Sequence, residues 1–243
     1  GKNKIIDSCT LPKYFIFTTL LKMRVVSQTR KLEAGLDEVG RGCLLGRVYT
    51  AMVSLPLDFD KLENVSLLIK DSKKLSDLQL NRAYDLIINH ALDVQIDYLE
   101  AEDVDRMNPS EAIFLSMNNC IRKSPLNYGK VLIDGKYFKY YHTDLKKNVE
   151  HECVIKGDAS YYSIACASII AKVTRDRYVL ELCEKEPELH ERYGLKCNMG
   201  YSHPEVHIAG IKKHGITKYH RKTYGICKKY AEMGQGYEEK CIL

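Results

Sequence analysis

The chain alternates short β-rich runs with stretches of helical period. Residues 48–55 are dense in β-branched and apolar side chains and read as a strand. Residues 32–36 read as another, leading straight into Asp37-Glu38-Val39-Gly40-Arg41-Gly42. Residues 94–99, 130–133 and 153–155 form further runs of this kind, the second ending at Asp134-Gly135 and the third at Lys156-Gly157-Asp158. Ser76 and Gln79 make a capping-box pair ahead of Leu80, Ala83, Leu86 and Ile87, which are spaced to share one face of a helix. A second helix is expected after Ser110, with Ile113, Met117 and Ile121 on one side. A long third helix starts near Tyr162, buries Ile169, Ile170, Val173 and Val179, and must close before Pro187. No internal repeat is visible. Strands interleaved with helices predict an α/β layered fold around a mixed sheet.

Composition narrows the class. With 243 residues, 45% of them apolar and 28% charged, the chain suits one domain, or one with a small appendage. Only 6 Pro and 15 Gly argue against low-complexity disorder. The longest apolar stretch, residues 14–21, is broken by Thr18 and Thr19 and falls far short of the roughly 20 residues a bilayer needs, so no membrane role is expected. Lys2 and Lys4 ahead of that stretch make only a faint signal-peptide pattern, since Lys22 and Arg24 follow it and no small-residue cleavage site appears. Nine cysteines are scattered and never spaced C-x-x-C, which argues against a disulfide framework or zinc knuckle and for a reducing, cytoplasmic setting. The spacings of His203, His207, His214 and His220 match no standard zinc ligand set either, and these histidines are expected on helix surfaces or in the core.

The net charge of +5 is unevenly spread. Residues 206–230 hold no Asp or Glu but carry Lys212, Lys213, Lys218, Arg221, Lys222, Lys228 and Lys229, interleaved with Tyr219, Tyr224 and Tyr230. Such a block suits a polyanion, because each cation that neutralises a phosphate releases condensed counterions. A solvated basic face is the alternative reading of the same residues.

The acids are placed where the strands stop. Asp37-Glu38, Asp134 and Asp158 each follow an apolar run and lie close to glycine. In open α/β sheets, catalytic groups gather at strand ends, where loops converge. Four converging carboxylates would repel one another unless cations were present, and oxygen-only donors favour a hard ion, Mg2+ or Mn2+, over zinc. Two such ions about 4 Å apart would suit an in-line phosphoryl displacement. Taken singly, an acid at a strand end is more often a turn or cap residue than a ligand. Adjacent strand residues point to opposite faces, so Asp37 and Glu38 are expected to share a site only if the strand stops between them. The glycine loop at Gly40, Arg41 and Gly42 matches neither nucleotide-binding fingerprint. Its exposed backbone groups suit a ribose 2′-hydroxyl, with Arg41 on an adjacent phosphate.

Taken in order, the motifs G-L-D-E-V-G-R-G (35–42), D-S-K-K-L-S (71–76), I-D-G (133–135), K-G-D (156–158), S-I-A-C-A-S-I-I-A-K-V-T-R-D (163–176) and H-G-I-T-K-Y-H-R-K-T-Y-G (214–225) closely resemble the type 2 ribonuclease H family. The resemblance runs from about residue 32 to about residue 225. It implies a ribonuclease H-like fold, a mixed five-stranded sheet flanked by helices, with a helical C-terminal extension. It also implies a metal-dependent endoribonuclease that cuts the RNA strand of RNA/DNA hybrids and single ribonucleotides in duplex DNA, leaving 3′-hydroxyl and 5′-phosphate ends. By motif position, Asp37, Glu38, Asp134 and Asp158 would bind two Mg2+ or Mn2+ ions, while Gly40, Arg41 and Gly42 would recognise the ribonucleotide. Lys73 would contact phosphate and Tyr201 would stack on the adjoining deoxyribose. Two departures stand out: Met199 replaces the usual lysine before Gly200-Tyr201, and residues 202–204 lengthen the segment by one and lack the expected Thr. The division that follows is an N-terminal arm (1–30), a catalytic body (31–186), a substrate-binding extension (187–230) and a tail (231–243), acting as a monomer. A non-catalytic hybrid-binding module, or a nuclease of the same fold needing several consecutive ribonucleotides, are the alternatives.

Overall fold

Five strands form one mixed sheet at the centre of the computed structural model, which describes residues 23–25, 32–141, 149–201 and 205–234. Most of the expected arm and tail, together with His203 and the lengthened segment 202–204, lies outside these residues. The first strand, β1 (Glu33–Val39), runs antiparallel to β2 (Val48–Ser54). A one-turn helix, α1 (Val65–Leu68), and a 3-10 turn over Ser72–Lys74 lead to α2 (Asp77–His90). The capping box at Ser76 and Gln79 forms as expected, and Leu80, Ala83 and Ile87 are buried.

Next, β3 (Asp93–Leu99) pairs antiparallel with β2. The acidic segment that follows forms α3 (Ala101–Met107), where only Ala101 and Val104 are buried. In α4 (Pro109–Lys123), the Asn108 side chain accepts from the N–H groups of Ser110 and Glu111, and Pro109 opens the helix. The strands β4 (Lys130–Asp134) and β5 (Glu150–Val154) complete the order β3-β2-β1-β4-β5, with β1, β4 and β5 parallel. The long helix α5 (Tyr162–Lys185) ends ahead of Pro187, as its sequence requires.

Alternation along the strands splits the core into two layers. Ala51 and Val53 face α2 and α5, while Ala34, Leu36, Met52, Val131 and Ile133 face α4. Gly35 permits the tightest of these packings. A Cβ there would lie 2.3 Å from the Ser163 carbonyl carbon, so the first turn of α5 rests directly on β1. Backbone bonds from Arg24 N–H to Ser160 O and from Tyr162 N–H to Arg24 O, at 2.9 Å each, hold residues 23–25 against the start of α5.

Beyond Pro187 the chain is helical, as expected: α6 (Glu188–Tyr193), α7 (Leu195–Asn198), α8 (Glu205–His214) and α9 (Gly225–Glu232). They pack with Leu44, Leu45, Val179 and Leu182 into a third apolar cluster. The apolar Met199 side chain packs against this cluster. Among the described residues no helix is long and apolar enough to cross a membrane, and the seven described cysteines are free thiols.

Candidate active site

Because β1, β4 and β5 are parallel, their C-terminal ends lie on one side of the molecule. Asp37 and Glu38 are near the end of β1, Asp134 is the last residue of β4, and Asp158 lies in the 3-10 turn Gly157–Ala159 after β5. The β1–β4 register pairs Leu36 with Ile133, so one further step sets Asp37 beside Asp134 on the face covered by α5.

The condition set for Asp37 and Glu38 to share a site, that β1 stop between them, is not met. The strand continues to Val39, held by pairing of Val39 with Tyr49 on β2. The two side chains therefore leave the strand on opposite faces, yet they meet. The Glu38 N–H donates to Asp37 Oδ1 at 2.7 Å, and the Glu38 carboxyl also draws on that amide and on Asp37. Turning back toward a shared donor brings both groups to the strand end without breaking the strand.

Electrostatics reflect the crowding. Burial pushes the Asp37 carboxyl well above its usual range, and the charges of Glu38 and Asp134 push it further, against a hydrogen bond from Ser168. Glu38 is raised by burial and by Asp134, while Arg41 opposes the shift. Asp134 is raised by burial and by Asp158, while the Gly157 N–H (2.7 Å), the Asp158 N–H and the charge of Lys73 oppose it. A Cβ on Gly157 would meet Ile164 Cδ1 at 2.4 Å, so a larger residue there requires the Ile164 side chain to move.

The four acids thus form one repelling group, Glu38, Asp37, Asp134 and Asp158, with the cation Arg41 felt by Glu38 and Lys73 by Asp134. Among the described residues, no three His, Cys, Asp or Glu side chains form a ready-made metal cage. The donor chemistry nevertheless fits hard cations: oxygen only, buried, and short of positive charge.

Lys73 sits in the 3-10 turn before α2, where Asp71 Oδ1 accepts its N–H at 3.1 Å. Ser72 Oγ lies 3.4 Å from Ser168 Oγ, tying that turn to the helix that supports Asp37. Tyr201 is half-buried, its ring centroid 5.3 Å from both Lys172 Nζ and the Arg175 guanidinium carbon. Lys172 pairs with Asp176 at 2.5 Å.

The glycine loop is welded to the C-terminal extension. Gly40 adopts a φ of +87° and packs on Arg175, where a Cβ would lie 2.6 Å from Nε. Leu44 N–H donates to Gly200 O at 3.0 Å, Gly46 N–H to Tyr219 O at 2.8 Å, and Arg221 N–H to Leu44 O at 2.8 Å. Arg175 and Arg221 are fully buried behind the loop. The sequence groups Arg221 with the basic block, but it is an interior residue whose guanidinium donates to the carbonyls of Gly46 and Arg41. Its neighbours Lys212, Lys213, Lys218, Lys222, Lys228 and Lys229 are exposed or half-exposed.

Two histidines complete the scaffold under Tyr201. His207 and His220 are buried, with Nε2 atoms 3.2 Å apart. The Thr217 N–H donates to His220 Nδ1 at 3.0 Å, which fixes the His220 proton on Nε2. That proton is donated to His207 Nε2, leaving His207 Nδ1–H to donate to Tyr201 O at 3.3 Å. Both rings are therefore held neutral, and burial lowers His220 to about 3.

Comparison with known proteins agrees with this architecture. The ribonuclease HII family model matches residues 34–227. The curated ribonuclease HII of Parabacteroides distasonis is 37% identical over 207 residues, covering 85% of this chain and 96% of that protein. The ribonuclease H2 of Pyrococcus horikoshii has a TM-score of 0.62 at 23% identity, covering 83% of this chain and 97% of that one. Bst-RNase HIII in complex with Mn2+ has a TM-score of 0.61 at 20% identity, covering 84% of this chain and 70% of that one. With the motifs and the sheet order in accord, a family model matching most of the chain and a curated relative matched over 96% of its own length, the chain belongs to the ribonuclease HII family and is a ribonuclease H.

Proposed function

We propose that Asp37, Glu38, Asp134 and Asp158 hold two divalent cations, Mg2+ or Mn2+, and that the enzyme cuts both the RNA strand of RNA/DNA hybrids and a lone ribonucleotide within duplex DNA. The observation that carries this reading is the run of mutually repelling carboxyls at one end of the sheet, three of them held above their usual range. When bound, the ions would lower the pKa of a water and stabilise the charge of an in-line phosphoryl displacement that leaves 3′-hydroxyl and 5′-phosphate ends.

The rest falls to the chain itself. Asp134, fixed by the amides of Gly157 and Asp158, holds its oxygens in place from β4, while Ser168 orients Asp37. The Gly40–Gly42 loop meets the ribose 2′-hydroxyl, and Arg41 and Lys73 neutralise phosphates beside the acids. Tyr201, braced by the histidine pair, offers a ring to the neighbouring sugar. No protein nucleophile is needed, so the phosphorus is never bonded to the enzyme.

Asp134→Asn tests the assignment. With Mg2+ and a duplex carrying one ribonucleotide, the variant is expected to lose cleavage by at least about a hundredfold while binding the duplex nearly as well as the parent. Full cleavage by the variant would refute the role of Asp134. Binding without turnover by the parent would favour a non-catalytic hybrid-binding module.

A further inference from the structure

Arg221 makes an unusual set of contacts for a fully buried charge. Among the described residues it forms no ion pair; it spans two backbone carbonyls of one loop, Nε donating to Gly46 O at 3.0 Å and Nη1 to Arg41 O at 3.0 Å. Its Nη2 is buried without a partner among the described residues. Tyr224 reaches the same place from the start of α9, its hydroxyl donating to Arg41 O at 2.9 Å. A carbonyl has two lone pairs, and here both are engaged from the side of the extension.

This fixes more than the carbonyl. The chain has no cis peptide among the described residues, so the Arg41–Gly42 peptide is trans and planar, and its N–H points opposite to its C=O. Pinning Arg41 O toward Arg221 and Tyr224 therefore aims the Gly42 N–H away from the extension. Gly42 is exposed, and a Cβ built on it meets nothing within 4 Å, so the loop surface at this residue is open to a ligand. Behind it, the Cys43 N–H donates to Gly40 O at 3.3 Å and closes the turn.

We infer that Arg221 and Tyr224 are positioning residues for substrate selection: they orient the Gly42 N–H as the loop's donor to the 2′-oxygen of the ribonucleotide. The inference rests on the proposed role of the Gly40–Gly42 loop. Arginine is required because its rigid fork reaches two carbonyls at once, which a lysine ammonium on a flexible stem does not.

The test compares affinities for two duplexes, one all-DNA and one with a single ribonucleotide, in EDTA so that no cleavage occurs. Tyr224→Phe and Arg221→Lys are measured beside the parent, with thermal midpoints recorded for each. Loss of one orienting hydrogen bond is expected to reduce the preference for the ribonucleotide duplex by about three- to tenfold, with all-DNA affinity nearly unchanged. A purely structural role would lower both affinities together. If the parent discriminates and a folded Tyr224→Phe keeps the full preference, the positioning role is overturned, even if Arg221→Lys does not fold. If the parent itself shows no preference, the reading of the glycine loop fails first, and the inference falls with it.

Discussion

Asp37 is buried on the α5 side of β1, with Glu38 and Asp134 as charged neighbours. In the folded, metal-free chain its carboxyl binds a proton more tightly than in the unfolded chain, where its ordinary value is 3.8. Stability therefore falls as pH rises above that ordinary value and through the folded one. Asp37→Asn removes this penalty and keeps an oxygen to accept the Glu38 N–H. In EDTA the variant is expected to melt above the parent at pH 7, with the difference closing toward pH 4; a lower melting point at pH 7 would contradict this. Gly35 carries the opposite kind of information. A methyl group there collides with the backbone of α5 rather than with a flexible side chain, so Gly35→Ala is expected to cost about 1–3 kcal/mol, read from denaturant midpoints. Arg175 and Arg221 show what the sequence conceals at this scale. Charged residues are rarely buried without a charged partner, and backbone carbonyls have no side-chain signature, so nothing in residues 214–225 separates Arg221 from its lysine neighbours at the surface.

The strands, α2 and α5 were legible because periodicity, capping and Pro187 all spoke for the same boundaries. The end of β1 was not. Asp and Glu are poor strand formers, and only pairing with β2, across the loop 40–47, carries the strand on to Val39. For the same reason the meeting of Asp37 and Glu38 could not be read from their spacing; it depends on an amide that both carboxyls share. Likewise, α3 has too few apolar positions to announce itself. The four acids and the glycine loop were visible as motifs, but the histidine pair beneath Tyr201 was visible only as core residues. That pair gives a pH test at the scale of the extension. His220 falls from its ordinary 6.5 to about 3 on folding, so between these values the unfolded chain holds a proton the folded chain lacks. Stability is full above 6.5 and declines as pH drops, by at most about 1.4 kcal/mol per pH unit. Replacing His220 with Asn removes this titration: its stability relative to the parent should improve steadily from pH 7 to pH 5. Parallel curves would show that His220 does not titrate on unfolding.

Across the whole molecule, the extension and the catalytic sheet act as one body. The loop 40–47 passes between them, bonded to Gly200, Tyr219, Arg221 and Tyr224 on one side and leading from the β1 acids on the other. The surface lysines at 212, 213, 218, 222, 228 and 229 give that body a basic flank. Neutralising Lys228 and Lys229 is expected to weaken duplex binding for every sequence and to lower the slope of log affinity against log salt by about 1 for each phosphate left without its lysine. An unchanged slope would mean that this flank faces solvent alone. The most direct measurement of the central claim is cleavage of a DNA duplex containing one ribonucleotide, run with Mg2+, with EDTA, and with Mg2+ restored. The account predicts a single cut at the ribonucleotide that EDTA abolishes and Mg2+ brings back, and no cut in the all-DNA control; cleavage that persists in EDTA, or none at a lone ribonucleotide, would contradict it.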